Sequence, residues 1–488
     1  MKIIFFIFFS FYFSLDSYSQ EKKKIDIKNA DFTYINNEKH PDYWRLLGNV
    51  NIFHNKTNMY CDSAHYYSQY EKIIAFSNVK IVKDKNLNLY GEKLNYDGEN
   101  NIAIISKNVV LINNESQLTT NKLEFNLEEE KIQYNSRSRI INNNQDIQSN
   151  KGIYLLNKKT YYFLDSVILK TENYTLNTDN LISNEETNSN QLNGPSFIFF
   201  NDKTIYCEEG YLYTNSAEFF KNPYIASTDF TVKADSIYYY NNKNTVNTLG
   251  NVVLTDTINN FIIKGGQADF FEDKDRMVFQ KNPSLQLISN LDTLFITSEI
   301  FENYQTKGDN KLLSYNNVKF NNENLMGTCD SLMYRTKDST ITLFKKPIIW
   351  LDEYQVFSDT IFINYFDKKI NKLYLFSRPM IISQHDSLNF NQIKGKKMIG
   401  HFSENKLSNI EVNGNGQSIY YLSEKDETIA MNYLESSNIN LVFKKRKIYN
   451  INYEIIPHSL TTPIKDVKEK DKFLKDFKWR ISEKPFKK

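Results

Sequence analysis

Cysteine, proline and glycine are all scarce in this chain: 3, 9 and 15 among 488 residues. With so few glycines it has no phosphate-cradling loop and no nucleotide fingerprint. It contains no Cys-x-x-Cys pair, no HExxH and no GxSxG. Its six histidines (His40, His54, His65, His385, His401, His458) are scattered without metal-ligand spacing. An excess of one charge is also missing: Lys+Arg 60 against Asp+Glu 58 leaves no basic field for a nucleic acid. After the first twenty residues nothing approaches the ~18 uninterrupted apolar residues of a membrane helix. Helical periodicity is absent throughout 26–455. No catalytic, cofactor or metal site is marked, so the chain reads as a non-enzyme.

The N-terminus stands apart. Lys2 is followed by the apolar run IIFFIFFSFYF at 3–13, then Ser17, Tyr18 and Ser19. A positive start, a short apolar stretch and small residues before a cleavage point make residues 1–19 a secretory signal peptide. No cysteine lies at that point to carry a lipid. The expectation is an exported protein without a lipid anchor.

What the chain has in quantity is repetition. A short phrase, a small or charged residue followed by Val or Pro and then alternating apolar positions, recurs about every 30 residues. It reads GNVNIF at 48–53, SNVKIV at 77–82, KNVVLI at 107–112, GNVVLT at 250–255, NPSLQL at 282–287 and RPMIIS at 378–383. The Val/Pro slots are Val50, Val79, Val109, Val167, Pro195, Pro223, Val252, Pro283, Val318, Pro347 and Pro379, with a degenerate copy near Arg139 and Ile140. A fixed period of this size predicts stacked units sharing one continuous core, in place of the roughly three domains suggested by length alone.

Within one period, 48–77, GNVNIF predicts a strand of about six residues, HNKTN at 54–58 a turn and MYCDSAHYY at 59–67 a second strand. IIAF at 73–76 then leads into the next start. Two or three strands per period joined by short turns predict antiparallel pairing. An acidic residue recurs in the second strand (Asp62, Asp235, Asp330, Asp359); forming a column and not a cluster, these carboxylates read as corner residues capping turn N–H groups. Cys61, Cys207 and Cys329 follow their slots by 11, 12 and 11 residues, one column in distant repeats. At ~4.8 Å per strand they lie far beyond the ~7 Å reach of a disulfide and read as buried apolar residues. Alternation puts Val50 and Ile52, Val79 and Ile81, Val109 and Leu111, Val167 and Leu169, and Val252 and Leu254 on one inner face. That face is either a packed core or a groove for acyl chains. The tail, 464–488, carries ten basic and five acidic residues around Phe473, Leu474, Phe477 and Trp479. It reads as a short amphipathic helix, an extended docking peptide or a solvated end.

The phrases at 48–111, GNVNIF, MYCDSAHYY, IIAFSNVKIV, LYGEKLNYD and IAIISKNVVL, resemble the OstA-like family, the periplasmic lipopolysaccharide-transport group that includes LptA and the N-terminal part of LptD. The resemblance is clear in the first half and diluted in the second; LKDFKWRISEKPF at 474–486 is similar to the tail of long OstA-like proteins. It implies an all-β fold, an extended antiparallel β-taco: a twisted V of two sheets with no outer-membrane barrel. The implied parts are a signal peptide (1–19), an N-terminal β-taco (20–200), diverged repeats (201–455) and a basic aromatic tail (456–488). It also implies lipid A acyl chains of lipopolysaccharide as cargo in the groove lined by the five apolar pairs. The implied partners are inner-membrane LptC-like and outer-membrane LptD-like proteins joined by edge strands, with Phe473, Phe477 and Trp479 as candidate docking residues. No cofactor and no nucleic acid are implied. The competing reading is a structural or adhesive surface β-solenoid with a packed interior.

Overall fold

The computed structural model describes residues 24–485, apart from 36–41, 84–85, 143, 289–292, 307–308, 324, 367–368, 404–405, 426, 446 and 456. The expected signal peptide lies outside the described residues. The described chain is antiparallel strand joined by short turns, a few of them three-residue 3-10 turns. It forms two compact units, one up to Thr187 and one from Asn188.

The building block is a strand folded across its middle. Lys72–Lys83 is one strand of 12 residues, so IIAF and NVKIV, expected as separate pieces, are its two halves. Its pairing skips from Phe76 to Val79. The residues skipped, Ser77 and Asn78, have φ of 62° and 52°. Two residues here oppose the single Glu92, a bulge that bends the strand and creases it. The half before the crease pairs with 63–67 and 93–97, and the half after it with 57–60 and 87–91. One strand therefore serves both sheets of the V.

The crease explains the opening of the repeat phrase. Both residues before the slot are left-handed at Gly48/Asn49, Lys107/Asn108 and Asp165/Ser166 in the first unit. The same holds at Lys221/Asn222, Gly250/Asn251, Lys281/Asn282, Asn316/Asn317, Lys345/Lys346, Ser377/Arg378 and Gly414/Asn415 in the second. Left-handed backbone costs most residues about 1–2 kcal/mol, and glycine and asparagine least. Hence the recurrent Gly-Asn, Ser-Asn and Lys-Asn.

The acidic column lies along this crease, bonded otherwise than expected. Asp62 accepts from the Asn78 side chain at 2.8 Å, Asp31 from Asn49 at 2.9 Å and Asp235 from Asn251 at 3.0 Å. Glu299 accepts from Asn317, while Asp330 pairs with Lys345 and Asp359 with Arg378, both at 2.8 Å. The main-chain N–H of Asp31, Asp235, Glu299 and Asp359 donates to a crease carbonyl. The carboxylates thus hold crease side chains and do not cap turn N–H groups. Gly250, at φ +75°, sits so close that an added Cβ would lie 2.2 Å from Asp235 Oδ2. Gly250→Ala is expected to cost about 1–3 kcal/mol, read as a lowered denaturant midpoint, and adding Asp235→Ala should recover part of it.

The slot is offset at one repeat. Val50 pairs with Cys61 and Val318 with Cys329, but Cys207 pairs with Ser196. Gly194 and Pro195 occupy the crease there, which corrects Pro195 as a slot and brings all three cysteines to the same place. Ser196 and Ile198 consequently face inward, leaving Phe197 and Phe199 37% and 44% exposed. In the degenerate copy, Ile140 pairs with Leu118 as Leu111 does.

Candidate functional site

The inner face is dry. Val50, Ile52, Val79, Ile81, Val109, Leu111, Val167, Leu169, Val252 and Leu254 are each 0–2% exposed. Strict period-two alternation sends them between the two halves of the creased strands, where Leu46, Ile73, Leu94 and Phe125 in the first unit and Ile237, Phe261 and Phe279 in the second are buried as well. Pairing keeps each in a row of apolar neighbours: Met59 stands between Ile52 and Ile81, and Leu89 between Ile81 and Leu111. The arrangement can solvate hydrocarbon and offers nothing for acid–base chemistry.

The cysteines belong to the same interior. All three are free and buried. Burial pushes each thiol from 9.0 up to about 12, with Asp62 adding to the effect at Cys61 and Asp330 at Cys329. A thiol that ionises more easily unfolded than folded stabilises the fold below its unfolded pKa, and that contribution disappears as pH rises through the folded value. Two outcomes are expected. At pH 8 iodoacetamide leaves the folded protein unlabelled and labels three sites in guanidinium, counted by mass spectrometry. Raising the pH from 9 toward 12 lowers the denaturant midpoint.

Opposite the crease, the two rows of turns form a mouth. In the first unit polar side chains bridge it. His54 Nδ1 lies 2.6 Å from Tyr96 Oη, and the Asn55 amide donates to Asn101. Lys83 Nζ donates to the Leu127 carbonyl at 2.9 Å and to Glu130 at 3.0 Å, and Asn113 donates to Tyr154 Oη at 2.9 Å. Tyr154 in turn donates to Glu185 at 3.1 Å.

In the second unit Lys203 bridges to Glu272 at 3.0 Å, and Tyr354 Oη accepts from the Ile448 N–H at 3.1 Å. A cavity of about 230 Å³ opens at the mouth of this unit. Ile258, Leu287, Ile288 and Leu294 line it from one rim and Tyr334, Ile341, Tyr365 and Ile370 from the other. Sequence reasoning missed both features, because it read the turns as spacers. The apolar Ile258 in the turn DTINN was the available signal.

The tail is neither a helix nor a solvated end. It makes 3-10 turns at Ile464–Asp466, Glu469–Asp471 and Ile481–Glu483. Leu474, 6% exposed, packs with Met380, Ile382, Ile419, Tyr421 and Met431, and partly buried Phe477 and Trp479 lie against this cluster. Phe473 remains 39% exposed. Phe477 and Trp479 thus sit on the chain's own sheet, and Phe473 lies against Phe477 with ring centroids 4.5 Å apart.

Two family models match. Residues 22–179 match the OstA-like protein family, and residues 231–369 match the family described as LptA/(LptD N-terminal domain) LPS transport protein. No curated protein matches the chain. The creased antiparallel sheets define a β-taco of the OstA/LptA kind. With more than half of its length in the two matches, the chain belongs to the OstA-like lipopolysaccharide-transport family. That family is periplasmic, and its members are transport proteins and not enzymes. Among the described residues no helix is long and apolar enough to cross a membrane.

Proposed function

We propose that the chain carries the acyl part of lipopolysaccharide in the interior between its sheets, with the sugar-phosphate head at the mouth. The observation that carries this reading is the mouth cavity: apolar side chains from both rims line it, nearly all within the LptA/LptD-type segment. At about 230 Å³ it is smaller than the roughly 300–1,000 Å³ of small-molecule sites. It admits a short length of hydrocarbon, and deeper entry parts the sheets. The polar bridges then open and inner side chains exchange contacts with each other for contacts with lipid. Export by the 1–19 signal, edge-strand pairing with LptC-like and LptD-like partners, and bridging toward the outer membrane complete the proposal.

The complete burial of the ten inner side chains favours a second reading, a packed structural solenoid without cargo. Photo-crosslinkers at Ile52, Ile81 and Leu254 separate the two. Adducts with lipopolysaccharide in cells, missing at outward-facing Val253, are the expected result. No adduct at any of the three sites would leave the solenoid reading standing.

A further inference from the structure

The outer face of the second unit changes character along the chain. One outward cross-strand row runs Lys233, Val253, Lys264, Ser284, Thr297, Lys319 and Thr328, polar except at Val253. A row that starts beside it, across six later strands, reads Trp350, Gln355, Ile382, Gln392, Ile419 and Tyr433. Met380, Tyr421 and Met431 flank that row and are 1–4% exposed. Such a face is buried only because the tail lies on it.

The two glutamines in the row hold the tail by its main chain. Gln355 Nε2 donates to the Lys478 carbonyl at 2.7 Å while its Oε1 accepts from the Arg480 N–H at 2.7 Å. Gln392 repeats the pattern: Nε2 donates to the Lys472 carbonyl and Oε1 accepts from the Leu474 N–H, both at 2.8 Å. Each amide thus stands in for one residue of a partner strand. Both glutamines are 0% exposed, so an empty slot would leave four buried hydrogen-bonding positions to be satisfied by water.

Spacing is matched as well. The two glutamines are two strands apart, about 10 Å. The seven residues from Leu474 to Arg480 would overshoot that span if extended, and a turn closed by Phe477 N–H to the Leu474 carbonyl at 3.1 Å takes up the excess. Asp476, at φ 75°, sits in that turn and pairs with Lys394 at 2.9 Å.

We propose that this outer face is a peptide-binding slot and that segment 472–480 of the same chain is its resident ligand. The ligand class is a segment with apolar residues at Leu474, three positions on at Phe477 and five on at Trp479, gripped at two main-chain points. Its sequence demand is therefore apolar, while the glutamines set register. Strands flanking the tail do not pair with it, so it leaves without breaking a sheet ladder, and departure bares a continuous apolar face. The slot lies largely beyond both family matches, the later of which ends at 369.

The test uses the full chain carrying Leu474→Asp and Trp479→Ala, which weaken the resident tail and leave the slot intact. A fluorescent peptide spanning 468–485 is titrated by anisotropy. It is expected to bind this variant at least 10-fold more tightly than the unaltered chain, and Gln355→Leu with Gln392→Leu should remove at least 10-fold of that affinity. Failure to bind a variant that keeps its strand circular dichroism, or binding indifferent to the glutamines, overturns the proposal. If the variant does not fold, hydrogen exchange on the unaltered chain decides. Leu474 and Arg480 amides exchanging faster than those of Met380–Gln384 support a displaceable ligand, and equal protection refutes it. A concentration-dependent dimer of the unaltered chain would mean that a second copy supplies the tail, against the assignment in cis.

Discussion

Fastening the mouth of the first unit is expected to weaken lipid loading strongly. The locked protein carries Asn55→Cys and Asn101→Cys, two positions already in side-chain contact across the mouth, joined by a short bis-thiol reagent. The three native thiols, buried and held near 12, do not compete for it. In the unlocked protein the bridges are weak barriers. A buried hydrogen bond is worth about 0.5–1.5 kcal/mol net, so the few at this mouth total a few kcal/mol. About a dozen acyl CH₂ groups at ~0.8 kcal/mol each gain roughly 10 kcal/mol on leaving water, enough to part them. A covalent tie cannot be offset in this way. Binding of purified lipopolysaccharide to the isolated protein should weaken at least ~10-fold, or about 1.4 kcal/mol, with single-cysteine variants unaffected by the reagent. Equal loading by the locked form would mean that lipid does not enter here.

The second large effect sits one residue from a null one. Leu254 is 0% exposed, between Val232 and Ile263 on adjacent strands. Leu254→Asp loses a buried side chain and places a carboxyl where nothing can pair with it, a combination expected to cost about 4–5 kcal/mol or more. Unfolding of the second unit at ambient temperature is the expected result by circular dichroism. Val253 faces outward between Lys233 and Lys264. Val253→Asp should stay within about 0.5 kcal/mol of the unaltered chain or gain slightly from those cations. Similar midpoints for the two variants would show a wet inner face, contrary to the packing seen.

The contrast between Leu254 and Val253 was legible in the sequence. Alternation has period two, so one anchored residue assigns a face to its whole strand, and the slot valines supply that anchor. The OstA-like resemblance was legible because GNV, SNV and KNV recur at fixed spacing. The crease was half legible: Gly-Asn and Lys-Asn signal left-handed backbone, but the pattern before and after them reads equally well as two strands. Pro195 misled for the same reason, because Pro fits both a strand start and a crease, and only the Ser196 pairing with Cys207 decides.

Other features left no local mark. The mouth bridges join residues 41 to 47 positions apart, and the glutamine grips on the tail span 80 to 125. Gln355 and Gln392 look like ordinary strand residues until something lies on them.

The sequence by itself determined the repeat, the antiparallel all-β class, the dry inner face and the family. Each follows from patterns within about one period, where backbone propensity and alternation act. Tertiary structure alone decided that the long strands are creased into both sheets, that the mouth is bridged in both units and hollow in the second, and that the tail occupies the outer face. Those depend on which distant residues the stacking register brings within hydrogen-bond reach, and a chain read locally carries no record of that register.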